Sequence, residues 1–255
     1  QVTTGMPAFD VIGHYDVEGK PNFDARAAYG RINDRFIYPR GVALDPVDHR
    51  LFVNDQYNNR VLMFELDAEN RIADRVADVI LGQPDAHTGQ LREISARTLQ
   101  IPLALAYDVT SKQLFVGDGW NNRVMVFDAH PDRLSTFDEA VAALGQRDFE
   151  SDEPSVGPDR LNFGVSWGRG IQSAAPTPLA LEVDTNHQRL FVSDGINHRV
   201  LVFDIRPGMV KTGVSAIGVL GQRDFEHNDP TPKESSRVTD SLGVLGARVV
   251  SGRAP

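Results

Sequence analysis

A set of acidic, amide and basic side chains recurs three times at fixed spacing along this 255-residue chain. In each copy an Asp is followed three positions later by an Asn and five positions later by an Arg. The Asp and Arg residues are Asp55 and Arg60, Asp118 and Arg123, and Asp194 and Arg199. Such groups could form a polar ligand site present three times, or an ion pair that staples a turn in every repeat. Residues that repeat in every unit usually build the unit, so the sequence favours structural turn staples.

Other residues with catalytic or ligating side chains lack the spacing that a site needs. The seven histidines form no His-x-His or His-x-x-x-His pair, so the local sequence supports no metal site, and a site assembled from distant segments stays open. The acidic segment 148–154 could hold calcium, but it lacks the ordered spacing of a known calcium loop. No nucleophile elbow, phosphate-binding loop or dinucleotide fingerprint is present. We therefore predict no catalytic residue and no cofactor, and leave calcium or another divalent metal open.

The composition excludes several classes of protein. The chain has no cysteine, which excludes disulfides, thiolate nucleophiles and cysteine-bound zinc. Its formal net charge of −9 argues against a nucleic-acid partner, because phosphate binding needs clustered Lys and Arg. No apolar run reaches the ~18–20 residues of a membrane span. The first residue is Gln1 and not Met, which is consistent with a removed export signal, so we expect an extracytoplasmic (periplasmic or secreted) location.

The repeated polar residues lie inside a longer repeated unit that positions them. The sequences LFVNDQYNNRVLMF (51–64), LFVGDGWNNRVMVF (114–127) and LFVSDGINHRVLVF (190–203) align without a gap. Each is preceded by a Pro-led apolar run and followed by Leu-Gly-Gln. From that Pro to that Gly the distance is 43 residues in all three copies, whereas the distances from the preceding Gly to that Pro are 26, 20 and 33 residues. A rigid unit therefore alternates with linkers of variable length.

Each unit contains four short predicted strands, here called A to D. Strand A is the Pro-led run, B is Leu-Phe-Val, C is Arg-Val-x-x-Phe, and D ends in Leu-Gly-Gln. Apolar residues occupy consecutive positions in B and C, which indicates that both faces of each sheet are buried. A short helix around residues 137–143 is a competing assignment, and we favour a strand because this segment occupies the D position. A period of about 40–45 residues with four strands predicts an all-β fold, a β-propeller of four-stranded antiparallel blades.

The connections between strands carry specific expectations. A four-residue turn between B and C puts the Asp carboxylate opposite the Arg guanidinium across the mouth of the hairpin. We expect Asn58, Asn121 and Asn197 to take turn positions, because Asn tolerates the left-handed backbone conformation. The Gly of Leu-Gly-Gln is expected to leave strand D in a conformation that a Cβ would forbid. The Gln that follows could then bond main-chain atoms of the linker.

The Pro-x-Gly-Val-Ala-x-Asp opening and the Val-x-Asp-x-x-Asn-[Asn/His]-Arg-Val core resemble the NHL-repeat family, at residues 39–64, 102–127 and 178–203. The Leu-Gly-Gln-x-Asp-Phe ends at 144–149 and 220–225 look like those of bacterial NHL-repeat proteins. The resemblance implies a propeller fold. For function it implies a wide range, since NHL propellers include lyases, sensor domains, and protein-binding or RNA-binding scaffolds. NHL lyases use a histidine-bound metal in the central channel, and no position here can be matched to those ligands.

The repeats predict one NHL-type propeller portion over residues 1–255, with about three complete blades. The expected boundaries are 1–38 for the last strand of a preceding blade plus a linker, 39–83, 102–146 and 178–222 for the blades, and 223–255 for a linker and the start of a further blade. The incomplete blades correspond to FDVIGHY (9–15) and LGVLGARVV (242–250). Because propellers close with about 4–8 blades, we predict completion by another protein chain or by a second copy. A four-bladed closure through the chain's own end strands is a weaker alternative.

The residues that differ between repeats point to a binding surface. The position before the Asn-Asn or Asn-His dipeptide of each B–C turn holds Tyr57, Trp120 and Ile196, and the longest linker holds Trp167. In an A-to-D meander the B–C loops and the D–A linkers emerge on the same side, so these four residues are predicted to share a partner-binding face. Packing of each bulky residue under its neighbouring linker is the alternative.

The sequence favours a non-catalytic propeller scaffold or structural subunit that binds protein partners through its loop face and its open blade edges. The alternative is a propeller enzyme, a lyase or hydrolase with or without a metal, with its site at the channel mouth. An RNA-binding surface is the least supported function, because 35 Asp and Glu residues outnumber 26 Lys and Arg residues.

Overall fold

The computed structural model describes residues 4, 6, 8, 10–14, 20, 36–89, 93–164 and 179–230. Within those residues it contains twelve strands in three four-stranded antiparallel sheets. The predicted fold class is confirmed: the protein is all-β, and its sheets are the blades of a partial β-propeller. Trp167, Pro178 and the segment 242–250 lie outside the described residues.

Each blade is a meander in which strands adjacent in sequence are adjacent in the sheet. The first blade consists of β1 (Pro39–Asp45), β2 (Arg50–Asp55), β3 (Arg60–Glu65) and β4 (Val79–Leu81). The second consists of β5 (Pro102–Asp108), β6 (Gln113–Asp118), β7 (Arg123–Asp128) and β8 (Ala142–Leu144). The third consists of β9 (Leu181–Asp184), β10 (Arg189–Asp194), β11 (Arg199–Asp204) and β12 (Gly218–Leu220). The segment 137–143 forms no helix, and β8 begins near its end.

The middle blade is covered on both faces, as the consecutive apolar residues predict. Leu114 and Phe115 are neighbours in β6, both fully buried, and they belong to different clusters. Leu114 packs with Phe52 and the first blade, whereas Phe115 packs with Leu201 and the third blade. Burial of one such side chain contributes about 1.5–3 kcal/mol. The blades therefore stack face to face, and each interior blade needs a neighbour on both sides.

The outer edge strand of a blade is covered by a loop of the next blade. In β4 the Ile80 N–H donates to Thr136 Oγ1 at 3.2 Å, and the Ile80 carbonyl accepts from the Phe137 N–H at 2.8 Å. The same two bonds join Ala143 of β8 to Thr212 and Gly213, at 3.1 and 3.2 Å. An exposed strand edge is a template for unwanted pairing, so this loop protects strand D while it joins consecutive blades.

The glycine after each strand D adopts the left-handed region, with φ of +89° at Gly82, +88° at Gly145 and +91° at Gly221. A Cβ on Gly145 would lie 2.4 Å from a methyl carbon of Leu161. The chain therefore turns here against a buried leucine of the linker, with no room for a side chain.

Residues 10–14 lie upstream of the first blade. Gly13 has a φ of +95°, close to the values at the three strand D ends. Ile12 packs against a buried cluster that includes Leu62 and Phe64, on the face of the first blade turned away from the second. Together with residues 4, 6, 8, 20 and 36–38, residues 10–14 are the part of the predicted boundary segment 1–38 that the structure describes.

We expect Gly145→Ala to destabilise the fold far more than Gly208→Ala. Both glycines have positive φ, +88° and +80°, but a Cβ at Gly208 would meet nothing within 4 Å. The left-handed backbone alone costs about 1 kcal/mol for alanine. The clash with Leu161 adds about 2 kcal/mol at Gly145, because the buried leucine must move. Urea unfolding of the two variants measures the difference, and equal losses would contradict this account of the turn.

Candidate functional site

The three Asp–Arg pairs lie at the mouths of the B–C hairpins. The Arg Nε to Asp Oδ2 distances are 2.7 Å for Asp55 and Arg60, 2.8 Å for Asp118 and Arg123, and 2.7 Å for Asp194 and Arg199. All six side chains are fully buried. Each pair also occupies opposite positions of its antiparallel ladder, so hairpin register fixes the contact.

The turn between the paired residues differs from the expectation in one respect. It is a single 3₁₀ turn, which in the second blade covers Gly119–Asn121. The left-handed residue is the next one, Asn122, with a φ of +50°, and not Asn121. Asn121 instead donates its amide to Asp118 Oδ2 at 2.8 Å. The same shift by one residue occurs in the other two blades, where Asn59 and His198 are left-handed.

Each Arg also joins two linkers to its own blade. Arg123 donates to the carbonyl of Phe149, in the linker that follows the blade, at 2.5 Å. It donates to the carbonyls of Ser95 and Thr98, in the linker that precedes the blade, at 3.0 and 3.1 Å. Arg199 makes the equivalent bonds to the carbonyls of Phe225, Gly157 and Arg160. The guanidinium therefore fixes where the chain enters and leaves a blade.

Both oxygens of each carboxylate in these pairs already accept hydrogen bonds, so neither is available for chemistry. Burial raises the pKa of Asp118 above its usual 3.8, and the Arg123 charge and hydrogen bonds from Gln100 and Asn121 oppose that rise. Its second oxygen accepts the Gln100 N–H at 2.6 Å. Asp55 and Asp194 show the same direction of pKa shift, with burial again the largest cause. A buried carboxylate that is bonded on both oxygens serves the fold, not proton transfer with a ligand.

The left-handed Asn links its blade to the next one, a role that the sequence did not reveal. Asn59 Oδ1 accepts the Ile101 N–H at 2.8 Å, and Asn122 Oδ1 accepts the Phe163 N–H at 2.8 Å. In the third blade this position is His198, which is exposed. The Gln after each strand D bonds the main chain nearby: Gln146, for example, donates to the carbonyls of Asn122 and Glu153, both at 3.1 Å.

A second polar network, also missed from the sequence, lies on the opposite side at the A–B turns. Asp45 Oδ2 accepts from the Tyr107 hydroxyl of the second blade at 2.8 Å and from Arg50 Nη2 at 2.6 Å. Burial and the Asp45 carboxylate raise the pKa of Tyr107. Asp108 accepts from Thr185 Oγ1 and Gln188 Nε2 of the third blade, at 3.0 and 3.1 Å. The sequence carries a signal for this network, because every strand A ends in Asp.

The predicted partner-binding residues have different surroundings. Tyr57 is 48% exposed and meets Tyr38 edge to face, with ring centroids 5.0 Å apart. Trp120 is partly buried against the cluster between the second and third blades, and Ile196 is half-buried. Among the described residues of this predicted face, Tyr57 is thus the one that offers a largely open apolar side chain.

The upstream side of the first blade exposes positions that are buried in the other blades. Val42 of β1 is 68% exposed, whereas the equivalent Leu105 and Leu181 are each 8% exposed. Tyr38 is 61% exposed, whereas the equivalent Ile101 is 7% exposed. With the exposed Leu44 and Tyr57, Val42 and Tyr38 form a surface that we call the β1 stripe. Exposed apolar side chains at positions that other blades bury mark interaction sites.

The downstream side of the third blade shows the same contrast. Phe191, Val200 and Leu220 are each partly exposed. Their equivalents in the first two blades are almost fully buried: Phe52, Phe115, Val61, Val124, Leu81 and Leu144. Both ends of the three-blade stack therefore carry apolar residues of the type that neighbouring blades cover.

The described residues contain no group of three or more His, Asp or Glu side chains that could hold a metal ion. In the acidic segment, Asp148 Oδ1 accepts the main-chain N–H groups of Glu150 and Ser151, at 3.1 and 2.7 Å, so it caps a local turn. Nor does any helix of this part of the protein have the length and apolarity to cross a membrane.

An open groove of about 210 Å³ runs between the inner strands of the three blades. Its walls come from β1, β5 and β9, mostly from apolar residues, and its ionisable side chains are Tyr107 and Glu182. Tyr107 is already bonded to Asp45. Among the described residues that line it, the groove therefore presents no pair of free acid and base groups of the kind that hydrolysis or elimination uses.

Comparison with known proteins identifies no family for this chain. No family model matches the chain, and no curated protein matches it at a significant level. Among solved structures, hydrazine synthase of Kuenenia stuttgartiensis is similar over 79% of this chain and 41% of that one, at 13% identity and a TM-score of 0.42. The chain thus spans less than half of that protein, and a likeness at this level says nothing of activity. The resemblance to NHL repeats rests on the motifs alone.

We expect Arg123→Ala to destabilise the protein by about 3–5 kcal/mol, because it leaves the Asp118 carboxylate buried without its partner. The matched control is Arg71→Ala, since Arg71 pairs with Asp67 and Glu69 while 58% exposed. An exposed pair of this kind contributes at most about 1 kcal/mol. Chemical denaturation of both variants measures the two losses. Similar small losses would show that the hairpin pair does not hold the linkers.

We expect the contribution of Asp108 to stability to disappear in acid. Burial by itself would raise its pKa, but hydrogen bonds from Ser111, Thr185 and Gln188 outweigh burial and hold the pKa below 3.8. A lowered pKa means that the ionised form stabilises the fold above about pH 4, and that this contribution is lost as pH falls through the folded-state pKa. The difference in unfolding free energy between wild type and Asp108→Asn should therefore shrink between pH 6 and pH 3.

The control for this pH series is Asp132→Asn, because the Asp132 side chain is 89% exposed. Its difference from wild type should stay near zero at every pH. A constant Asp108→Asn effect across the series would contradict the proposed hydrogen-bonded carboxylate.

Proposed function

We propose that this chain is a non-catalytic β-propeller scaffold of NHL type, which binds protein partners through the two open ends of its blade stack. The observation that carries the proposal is the exposure of Val42, 68% against 8% at the equivalent Leu105 and Leu181. A repeat position that is buried between blades in two copies and exposed in one copy is a docking position for another sheet.

The polar groups support a scaffold over an enzyme. The repeated Asp, Asn and Arg side chains bond to one another and to the linkers, and Tyr107 is bonded to Asp45. The blade ends leave apolar side chains available, Val42 and Leu44 on the first blade and Phe191 on the third, and such surface suits protein–protein contact. Completion of the ring by another chain or by a second copy, and a location outside the cytoplasm, belong to this proposal, and a calcium or other divalent site stays an untested expectation.

The test is the mass of the native assembly. We expect the tagged chain, purified from its source organism and measured by size-exclusion chromatography with light scattering, to be heavier than a monomer. Replacement of two residues of the β1 stripe, Val42→Asp with Leu44→Asp, should weaken the assembly at least tenfold. Both side chains are exposed, so the change should leave the fold intact.

The matched control is Val141→Asp, because Val141 is 53% exposed in the C–D segment of the second blade, away from the stripe. It should assemble like wild type. A monomeric wild type, or equal assembly of the stripe variant and wild type, contradicts the scaffold proposal. A stoichiometric metal ion bound beside the inner strands would instead favour the enzyme alternative.

A further inference from the structure

A row of three side chains crosses strands A, B and C of each blade, next to the A–B turn. The members of a row are ladder partners, so they lie side by side on one face of the sheet. In the first and third blades an Arg stands between two carboxylates, whereas in the second blade a Gln takes the middle place. The rows are Asp45–Arg50–Glu65, Asp108–Gln113–Asp128 and Asp184–Arg189–Asp204. The second blade therefore keeps both negative charges of the row and lacks the positive one.

The first blade shows what the cation in the middle of the row does. Arg50 Nη2 and Nε lie 2.6 and 3.2 Å from Asp45 Oδ2. Both side chains are almost fully buried. A carboxylate that is buried without a countercharge is strongly destabilised, because it loses its hydration and gains nothing in return. The Arg50 guanidinium removes that cost for Asp45.

Asp108 is buried in the same way, without a guanidinium beside it. It is fully buried, and the hydrogen bonds that it accepts from the described residues come from neutral groups. The donors are two main-chain N–H groups and the side chains of Ser111, Thr185 and Gln188. Burial by itself would raise the pKa of Asp108, but these bonds hold it below 3.8. Asp108 is therefore a charged group at neutral pH.

The two oxygens of Asp108 are used unequally. Oδ2 accepts three hydrogen bonds of 2.7–3.1 Å, whereas Oδ1 accepts the Thr185 hydroxyl at 3.0 Å and the Thr110 N–H at 3.4 Å. A distance of 3.4 Å exceeds the usual range of an N–H···O bond. Oδ1 thus has room for a further partner. The other carboxylate of this row, Asp128, already has a countercharge in Arg133 at 3.0 Å.

Two amide oxygens beside Asp108 also lack a partner. The Oε1 atoms of Gln113 and Gln188 are buried, and neither accepts a hydrogen bond. Gln188 donates its Nε2 to Asp108 Oδ2 at 3.1 Å and to the Thr185 carbonyl at 2.9 Å, so its Oε1 belongs to an amide held against the carboxylate. Gln113 is the ladder partner of Asp108, at the position of Arg50. A buried oxygen of this kind requires a donor or a cation.

We propose that the second blade binds a calcium ion between Asp108, Gln113 and Gln188, in the place that the Arg50 guanidinium takes in the first blade. Carboxylate, amide and hydroxyl oxygens are ligands that calcium accepts, and water completes its coordination. Because Gln188 lies in the A–B turn of the third blade, the ion would join the second blade to the third. The proposal is independent of the scaffold function.

This site differs from the other metal sites considered above. It has one uncompensated carboxylate and two amides, and is thus not one of the groups of three His, Asp or Glu side chains that the described residues lack. Asp108 does not line the groove between the inner strands. The number of charged ligands sets calcium affinity, so we expect a dissociation constant of about 10⁻³ M, as in weak calcium modules.

The test is the effect of calcium on unfolding of the full chain, after dialysis against a chelator and at one protein concentration. For a dissociation constant of about 10⁻³ M, 10 mM CaCl₂ should lower the unfolding equilibrium constant about tenfold. The same concentration of MgCl₂ should change it less than twofold, because Mg²⁺ gives up its water reluctantly and requires an octahedral site. No effect of calcium, as expected if water alone fills the site, or equal effects of both salts, overturns the proposal.

Two variants of Gln113 locate the ion. Gln113→Leu keeps a side chain of similar size but removes the amide oxygen, and its calcium effect should fall below twofold. Gln113→Arg restores the residue type of the other two blades. It should show no calcium effect, and without calcium its unfolding equilibrium constant should not exceed that of wild type. A tenfold calcium effect in both variants places the ion elsewhere and overturns the proposal.

The matched control is Asp148→Asn, in the acidic segment 148–154 that is the other candidate for calcium. Its side chain is 43% exposed, so the substitution should leave the fold intact. This variant should keep the full tenfold calcium effect. Loss of the effect in Asp148→Asn, with the effect retained in Gln113→Leu, assigns calcium to the acidic segment and overturns the site at Asp108.

Discussion

A sheet that is apolar on both faces must be covered on both faces, and the rest of this structure follows from that constraint. Leu114 and Phe115, adjacent in β6 and both fully buried, point into different inter-blade clusters. Such a sheet cannot lie at the surface of a protein without leaving large apolar side chains in water. Stacking covers both faces of the middle blade but leaves one face of each outer blade uncovered. On those faces Val42 is largely exposed and Phe191 is partly exposed.

The buried Asp–Arg pairs determine how the blades are connected, more than how stable each one is. A buried ion pair gains little net free energy over apolar packing, because both charges lose their hydration. Its value here is geometric. Arg123 holds the Asp118 carboxylate and the carbonyls of two linkers at once, so one side chain fixes the entry and the exit of its blade. Linkers of variable length can therefore connect units of constant length.

This use of polar groups also explains why the proposed function is binding. The Asp, Asn and Arg side chains that repeat in every described blade are hydrogen-bonded inside the fold. The surface that distinguishes the end blades from the middle blade is apolar and lies along β1 and on the third blade.

The sequence alone determined the repeated unit: a constant length of 43 residues, four strands, burial on both faces, and an Asp opposite an Arg across each hairpin. These features are local, since register and turn length follow from residues within one unit. It placed the left-handed residue at Asn121 instead of Asn122, because both residues are asparagines, which tolerate that conformation, and only the 3₁₀ turn decides between them. The tertiary structure decided everything between units. The bonds from Arg123 to the linkers, from Asn59 to Ile101 and from Tyr107 to Asp45 join residues 25 to 62 positions apart. Such contacts depend on how neighbouring blades stack, and no spacing within a single unit encodes them.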